Sequence, residues 1–173
     1  MATFTKTISD YYGLNCRVTW SETVNQSDNT STVSVTKVEL SSSEMAGTFY
    51  ATGYITINGV KVSSFSSKAF YVNGTASYYS TLSGATGSGT VAHNSDGTGS
   101  TTISVTITSI YDWSKWSSAS ASQSVTLTKI DRGLVYIDTG SGFIACQIYI
   151  EDGTTWSVYA PYLDLGSAWA LCS

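Results

Sequence analysis

Apolar and polar residues alternate along much of the chain with the two-residue period of strands that bury one face. Leu14, Cys16, Val18 and Trp20 alternate with Asn15, Arg17, Thr19 and Ser21. Ile103, Val105 and Ile107 alternate with Thr102, Ser104 and Thr106, and Val125 and Leu127 with Ser124, Thr126 and Thr128. Over residues 33–40 the phase changes. Val33 and Val35 share one phase, Val38 and Leu40 the other, and a β-bulge between them returns all four to one face. Cys16 lies on the apolar phase of its strand and is expected as a small core residue.

The turns punctuate this pattern. Asn58-Gly59 suits a type I′ hairpin, whose two central residues need positive φ. That register sets Ile57 opposite Val60 and Ile55 opposite Val62, with the apolar residues on one face. A second turn, Asn94-Ser95-Asp96-Gly97, separates Thr90-Val91 from the strand around Ile103. Between the two lies Ser83-Gly-Ala-Thr-Gly-Ser-Gly89. It lacks the Lys-Ser/Thr ending and following helix of a phosphate loop, and reads as a flexible interstrand loop. Short strands separated by such turns predict a sandwich with Greek-key connections.

Residues 81–132 read TLSGATGSGTVAHNSDGTGSTTISVTITSIYDWSKWSSASASQSVTLTKIDR. The sequence Thr90-Val-Ala-His-Asn-Ser-Asp-Gly97 leads into an alternating strand, then a Ser-rich segment, then Leu127-Thr-Lys-Ile-Asp-Arg132. This stretch resembles the Ig-like domain of siphovirus minor structural (tail) proteins from phages of Gram-positive hosts. That family pairs a His-Asn-x-Asp-Gly turn with a closing Leu-Thr-x-Ile-x-Arg strand. The Cys16-Arg-Val-Thr-Trp20 strand and the Tyr54–Val62 hairpin fit the same pattern more loosely, which extends the resemblance over residues 1–132. Asp131 stands where the family has proline. The resemblance implies an immunoglobulin-like sandwich in a virion component and carries over no catalytic residue.

Beyond Arg132 the chain repeats. Tyr136, Tyr149 and Tyr162 are spaced by 13, followed by Ile137, Ile150 and Leu163 and then by Asp138, Glu151 and Asp164. Gly140, Gly153 and Gly166 take the fifth position, Ser141, Thr154 and Ser167 the sixth, Phe143, Trp156 and Trp169 the eighth. Cys146, Tyr159 and Cys172 close each unit. Strand, glycine-containing turn and strand describe a β-hairpin, and one hairpin alone is not stable. The expected architecture is therefore all-β: an immunoglobulin-like β-sandwich over 1–132, then three 13-residue hairpin repeats over 133–173 forming a docking or oligomerisation module. Cys146 and Cys172 are expected as reduced thiols.

Charge sharpens that division. Residues 1–133 carry eight acids and eight bases; Asp138, Glu151, Asp152 and Asp164 make up the net charge of −4. Basic residues do not cluster, which argues against a nucleic-acid partner. No apolar run is long enough to span a bilayer, so no membrane partner is expected. The opening Met-Ala-Thr-Phe-Thr-Lys has no apolar signal region, which points to synthesis in a bacterial host cytoplasm.

Catalytic constellations are missing. His93 is the single histidine, outside any His-Glu-x-x-His or Gly-x-Ser-x-Gly context, and reads as a turn-stabilising residue. No cofactor, metal or catalytic residue is expected, nor enzymatic activity. The sequence therefore points to a non-enzymatic virion protein, a tail component or capsid decoration, assembling with other virion proteins and as a homo-oligomer such as a trimer. The alternative is a carbohydrate-binding or host-adhesion module displayed on the particle. In that reading Tyr136, Tyr149, Trp156, Tyr159, Tyr162 and Trp169 contact a partner or a host surface glycan.

Overall fold

The computed structural model describes residues 1–9, 12–111 and 117–130 in full, and the backbone of six short strands between 135 and 171. Alternating patterns become strands, and none of the described residues is helical. They form β1 (Ala2–Ser9), β2 (Leu14–Asn25), β3 (Thr30–Ser42), β4 (Ala46–Ile57) and β5 (Val60–Asn73). Then come β6 (Ser80–Thr81), β7 (Gly87–Ala92), β8 (Ser100–Ile110) and β9 (Ala119–Thr126).

One antiparallel sheet runs β1-β2-β3, with β6 and β7 both pairing with β3 at different heights; the other runs β5-β4-β8-β9. Their inward faces meet in one core. Leu14, Cys16, Val18, Val33, Val35, Val38 and Leu40 come from the first sheet; Ile55, Ile57, Ile103, Val105 and Ile107 come from the second. β3 beside β7 and β4 beside β8 is the Greek-key connectivity of an immunoglobulin-like sandwich, here with β1 added outside β2. Burial holds the Cys16 thiol's pKa up at about 12, so it stays a neutral core group.

The phase change in β3 is a bulge. Thr19 pairs with Lys37 and Trp20 with Val35, leaving Thr36 as the extra residue, its hydroxyl donating to the Thr19 carbonyl at 3.3 Å. Val33, Val35, Val38 and Leu40 are accordingly all buried. The Asn58-Gly59 turn has the expected positive φ at both residues, 52° and 76°, and sets Ile57 opposite Val60.

Two expectations need correction. A bulge at Val62 sets Ile55 opposite Ser63, not Val62, and Val60 stands 65% exposed at the hairpin tip. The glycine-rich segment is a loop only in its first half, because Gly87 and Gly89 belong to β7. There a Cβ on Gly87 would fall 2.9 Å from the Ser63 Cβ, and one on Gly89 would fall 3.1 Å from Val62. These glycines let β7 close tightly over the start of β5.

Further along, β10 (Val135–Asp138) pairs with β11 (Phe143–Cys146), β12 (Ile148–Asp152) with β13 (Thr155–Tyr159), and β14 (Tyr162–Asp164) with β15 (Trp169–Leu171). All three pairs are antiparallel and share one register: Asp138 opposes Phe143, Glu151 opposes Trp156, Asp164 opposes Trp169. The 13-residue period thus recurs in the pairing. Residues 131–134, at the expected boundary, and those linking the paired strands lie outside the described residues.

Candidate functional site

Two polar clusters stand out in the sandwich. The first is built around the buried His93 and Ser31 and reaches the surface at Glu22 and Thr128. Its ring lies between β3 and the turn after β7, with Nδ1 2.8 Å from the Gly97 carbonyl and Nε2 2.8 Å from the Ser31 hydroxyl. Ser31 in turn donates to Glu22 at 2.7 Å. The Glu22 carboxylate also accepts the Thr128 backbone N–H at 3.1 Å and the Thr128 hydroxyl at 2.9 Å. Glu22, Ser31 and His93 thus form one continuous hydrogen-bonded chain that ends on the Gly97 carbonyl.

Backbone contacts extend this cluster into a clasp. Ile130 donates to the Gly97 carbonyl at 2.9 Å and Leu127 to that of Gly99 at 2.9 Å. Gly97 has φ +78°, and a Cβ there would collide with the Ile130 carbonyl; a Cβ on Gly99 would press on the His93 ring. Asn29 adds its amide to the His93 carbonyl at 3.0 Å. In the turn itself Thr98 bonds Asp96 through both N–H and hydroxyl, which holds that carboxyl below its ordinary pKa. The two halves of the 90–132 motif are thus in direct contact, and the histidine is structural, as its sequence context suggested. Ser31 gave the clearest missed signal: a polar residue on the same phase as Val33 and Val35, fully buried.

The second cluster is open to water, on the outer face of the β5-β4-β8-β9 sheet. Three bulges converge there. Thr52 lies between paired positions Ala51–Lys68 and Gly53–Phe65, so Ser66 and Ser67 together oppose it. On the other side Thr52 pairs with Ser109 and Gly53 with Ile107, leaving Thr108 extra. The third bulge is the one at Val62. Ser67 is held at φ +49°, its N–H bonded to the Thr52 hydroxyl at 3.1 Å, while the Thr108 hydroxyl donates to the Thr52 carbonyl at 3.1 Å.

The outcome is a depression of about 500 Å³ lined by Thr52, Gly53, Tyr54, Lys61, Ser64, Phe65, Ser66 and Thr108. Buried Gly53 and Phe65 close it beneath. A Cβ on Gly53 would collide with the Thr106 carbonyl and lie 2.8 Å from the Phe65 ring, so the glycine is needed where that ring crosses β4. The Lys61 ammonium stands 5.1 Å from the Tyr54 ring centroid. Towards the other end of this sheet, Tyr50, Tyr71, Tyr78 and Tyr111 are exposed, Tyr71 and Tyr78 edge-to-face at 5.9 Å.

No known protein family, curated protein or solved structure matches the chain. Function must therefore be argued from these clusters and from the sequence.

The aromatic positions expected to meet a partner are distributed over the tail strands: Tyr136 in β10, Tyr149 in β12, Trp156 and Tyr159 in β13, Tyr162 in β14 and Trp169 in β15. Their strand pairing is described, but their side chains lie outside the described residues. The exposed aromatics of this face escaped the sequence reading because they come from β4, β5, the connection after β5 and the end of β8, which become neighbours only in the folded chain.

On the opposite sheet, Glu39 accepts Arg17 at 2.8 Å and Lys37 at 3.1 Å, and Arg17 lies 3.9 Å over the Tyr79 ring. The Arg17 hydrogen bond foremost, then that of Lys37, holds the Glu39 carboxyl below its ordinary 4.5 against the opposing effect of burial. Among the described residues no three His, Cys, Asp or Glu side chains are grouped to hold a metal.

Proposed function

We propose that the chain is a non-enzymatic structural component of a bacteriophage particle, in the tail or as a capsid decoration. The observation that carries this reading is the resemblance of Thr90–Gly97 and Leu127–Arg132 to the turn and closing strand of Ig-like siphovirus domains. Their described residues work in the fold as a unit: His93, Gly97 and Gly99 meet Leu127, Thr128 and Ile130 through the clasp. A motif whose residues lock a turn to a closing segment has an architectural role, which suits a building block. Exposed Tyr50, Tyr71, Tyr78 and Tyr111 supply the side-chain type that anchors protein interfaces.

Purified particles tested by mass spectrometry check the proposal. Recovery of the chain at fixed stoichiometry in tail or head fractions supports it. Presence in the infected lysate with absence from particles contradicts it.

A second reading is host adhesion through glycan binding, favoured by the open depression of ring, hydroxyls and ammonium at Tyr54, Ser64, Ser66 and Lys61. In it the particle position is the same, and the outer sheet is the face turned to the host.

A further inference from the structure

We infer that the depression on the outer face of the β5-β4-β8-β9 sheet binds a single sugar unit carrying a negative charge. The inference rests on the adhesion reading above, and its test does not require recovery of the chain from particles.

The depression is a built feature. Bulges from β5 and β8 meet β4 at the same residue, Thr52, and a third lies four residues away in the pairing with β5. Ser67 is held in the left-handed region, which favours glycine, and Gly53 is required beneath. The same bulges keep Phe65 with Phe70, and Ile107 with Ile110, on the inner face, although the members of each pair stand on opposite phases of the strand alternation. Bulges that open a sheet in this way re-aim side chains and are concentrated beside functional sites.

The lining selects the ligand class. Volume of about 500 Å³ suits a small molecule, within the range of small-ligand pockets. Tyr54 offers a ring wall to the C–H face of a sugar, with its phenol as a further polar group. The Ser64 and Ser66 hydroxyls have no hydrogen-bond partner among the described residues, and each can donate or accept, as hydroxyl-rich ligands demand. Lys61 pairs with no carboxylate among the described residues, and no Asp or Glu lines the depression, so the local charge is positive. That combination favours a phosphate- or carboxylate-bearing sugar over a neutral one. A bare phosphate would leave the Tyr54 wall unused, and an apolar peptide anchor would meet a rim of hydroxyls.

The test is a titration of the 15N-labelled full chain with glucose 6-phosphate, glucuronic acid, glucose and inorganic phosphate, read by chemical-shift change. The expected result is saturable shifts of Gly53, Tyr54, Ser64 and Ser66 with one or both anionic sugars, which also shows whether phosphate or carboxylate is preferred. Glucose and inorganic phosphate bind more weakly. Lys61→Gln lowers the anionic-sugar affinity about fivefold, the size of an exposed charge contact, and leaves glucose unchanged. Ser64→Trp fills the depression without removing a wall and abolishes binding, whereas Tyr71→Ala, towards the other end of the sheet, leaves it intact. Unchanged melting of each variant assigns these effects to the site. The inference is overturned if no saturable shift appears at these residues, if glucose or inorganic phosphate binds as tightly as the anionic sugars, or if Ser64→Trp binds like the parent.

Discussion

The buried cluster around His93 and the open cluster around Tyr54 use the same kinds of group to opposite ends. In the first, every polar atom of Glu22, Ser31 and His93 that takes part is answered by another protein group, and four separate segments are tied together. In the second, Thr52, Thr108 and the Ser67 backbone answer one another, while Ser64, Ser66 and Lys61 at the rim are left to water. Polar groups that satisfy each other in the interior hold a fold, because leaving any of them unpaired is costly. Groups held in place and left open are available to a ligand. The contrast predicts large stability effects from the clasp and small ones from the rim.

The largest effect is expected from Gly97→Val. A β-branched side chain at φ +78° meets the Ile130 carbonyl, and a loss of about 4 kcal/mol or more should appear in chemical denaturation, if the variant folds at all. His93→Ala comes next. It removes one of the two hydrogen bonds made by each of the Ser31 hydroxyl and the Gly97 carbonyl and leaves a cavity where the buried ring stood, for an expected loss of about 2–4 kcal/mol. A loss below about 1 kcal/mol in His93→Ala would break the comparison, since it would mean that the His93 cluster contributes no more than surface groups do.

Much of the sandwich was legible in the sequence because it depends on local pattern. Asn58-Gly59 fixed a hairpin by its own φ preferences, and the phase change between Val35 and Val38 announced the Thr36 bulge. What escaped depends on neighbours distant along the chain. The Val62 bulge leaves no phase signature strong enough to read, and Gly87 and Gly89 look like flexible linker residues until β5 is placed against them. The clasp left a faint trace, with Glu22 and Ser31 each on the apolar phase of its strand. The open depression left none, because Thr52, Ser66 and Thr108 become neighbours only through two bulges. The repeat was legible as a period, and the common register of the three strand pairs carries it into backbone pairing.

Smaller effects sharpen the contrast. Glu39 is bridged by Arg17 and Lys37, whose side chains are 34% and 45% exposed, so solvent screens the pair. Its folded carboxyl titrates below the ordinary 4.5. Its contribution is therefore present above that value and lost as pH falls through the lower folded one. Glu39→Gln should cost about 1 kcal/mol at neutral pH and make the acid limb of the stability curve shallower. An unchanged acid limb would remove Glu39 from the account. Cys16 provides a probe with no cost to stability: as a neutral buried thiol it should resist alkylation in the folded protein and react only on unfolding, as peptide mass mapping would show. The smallest effect is expected at the rim, where Lys61→Gln should change stability by less than about 0.5 kcal/mol.

The most direct test sets the two clusters side by side: denaturant unfolding of His93→Ala and of Lys61→Gln/Ser66→Ala under one set of conditions. The account predicts a loss of about 2–4 kcal/mol for the first and less than about 0.5 kcal/mol for the second. Equal losses, or a greater loss from the rim variant, would contradict the division of the sandwich into a clasp that holds the fold and an open face that is free to bind.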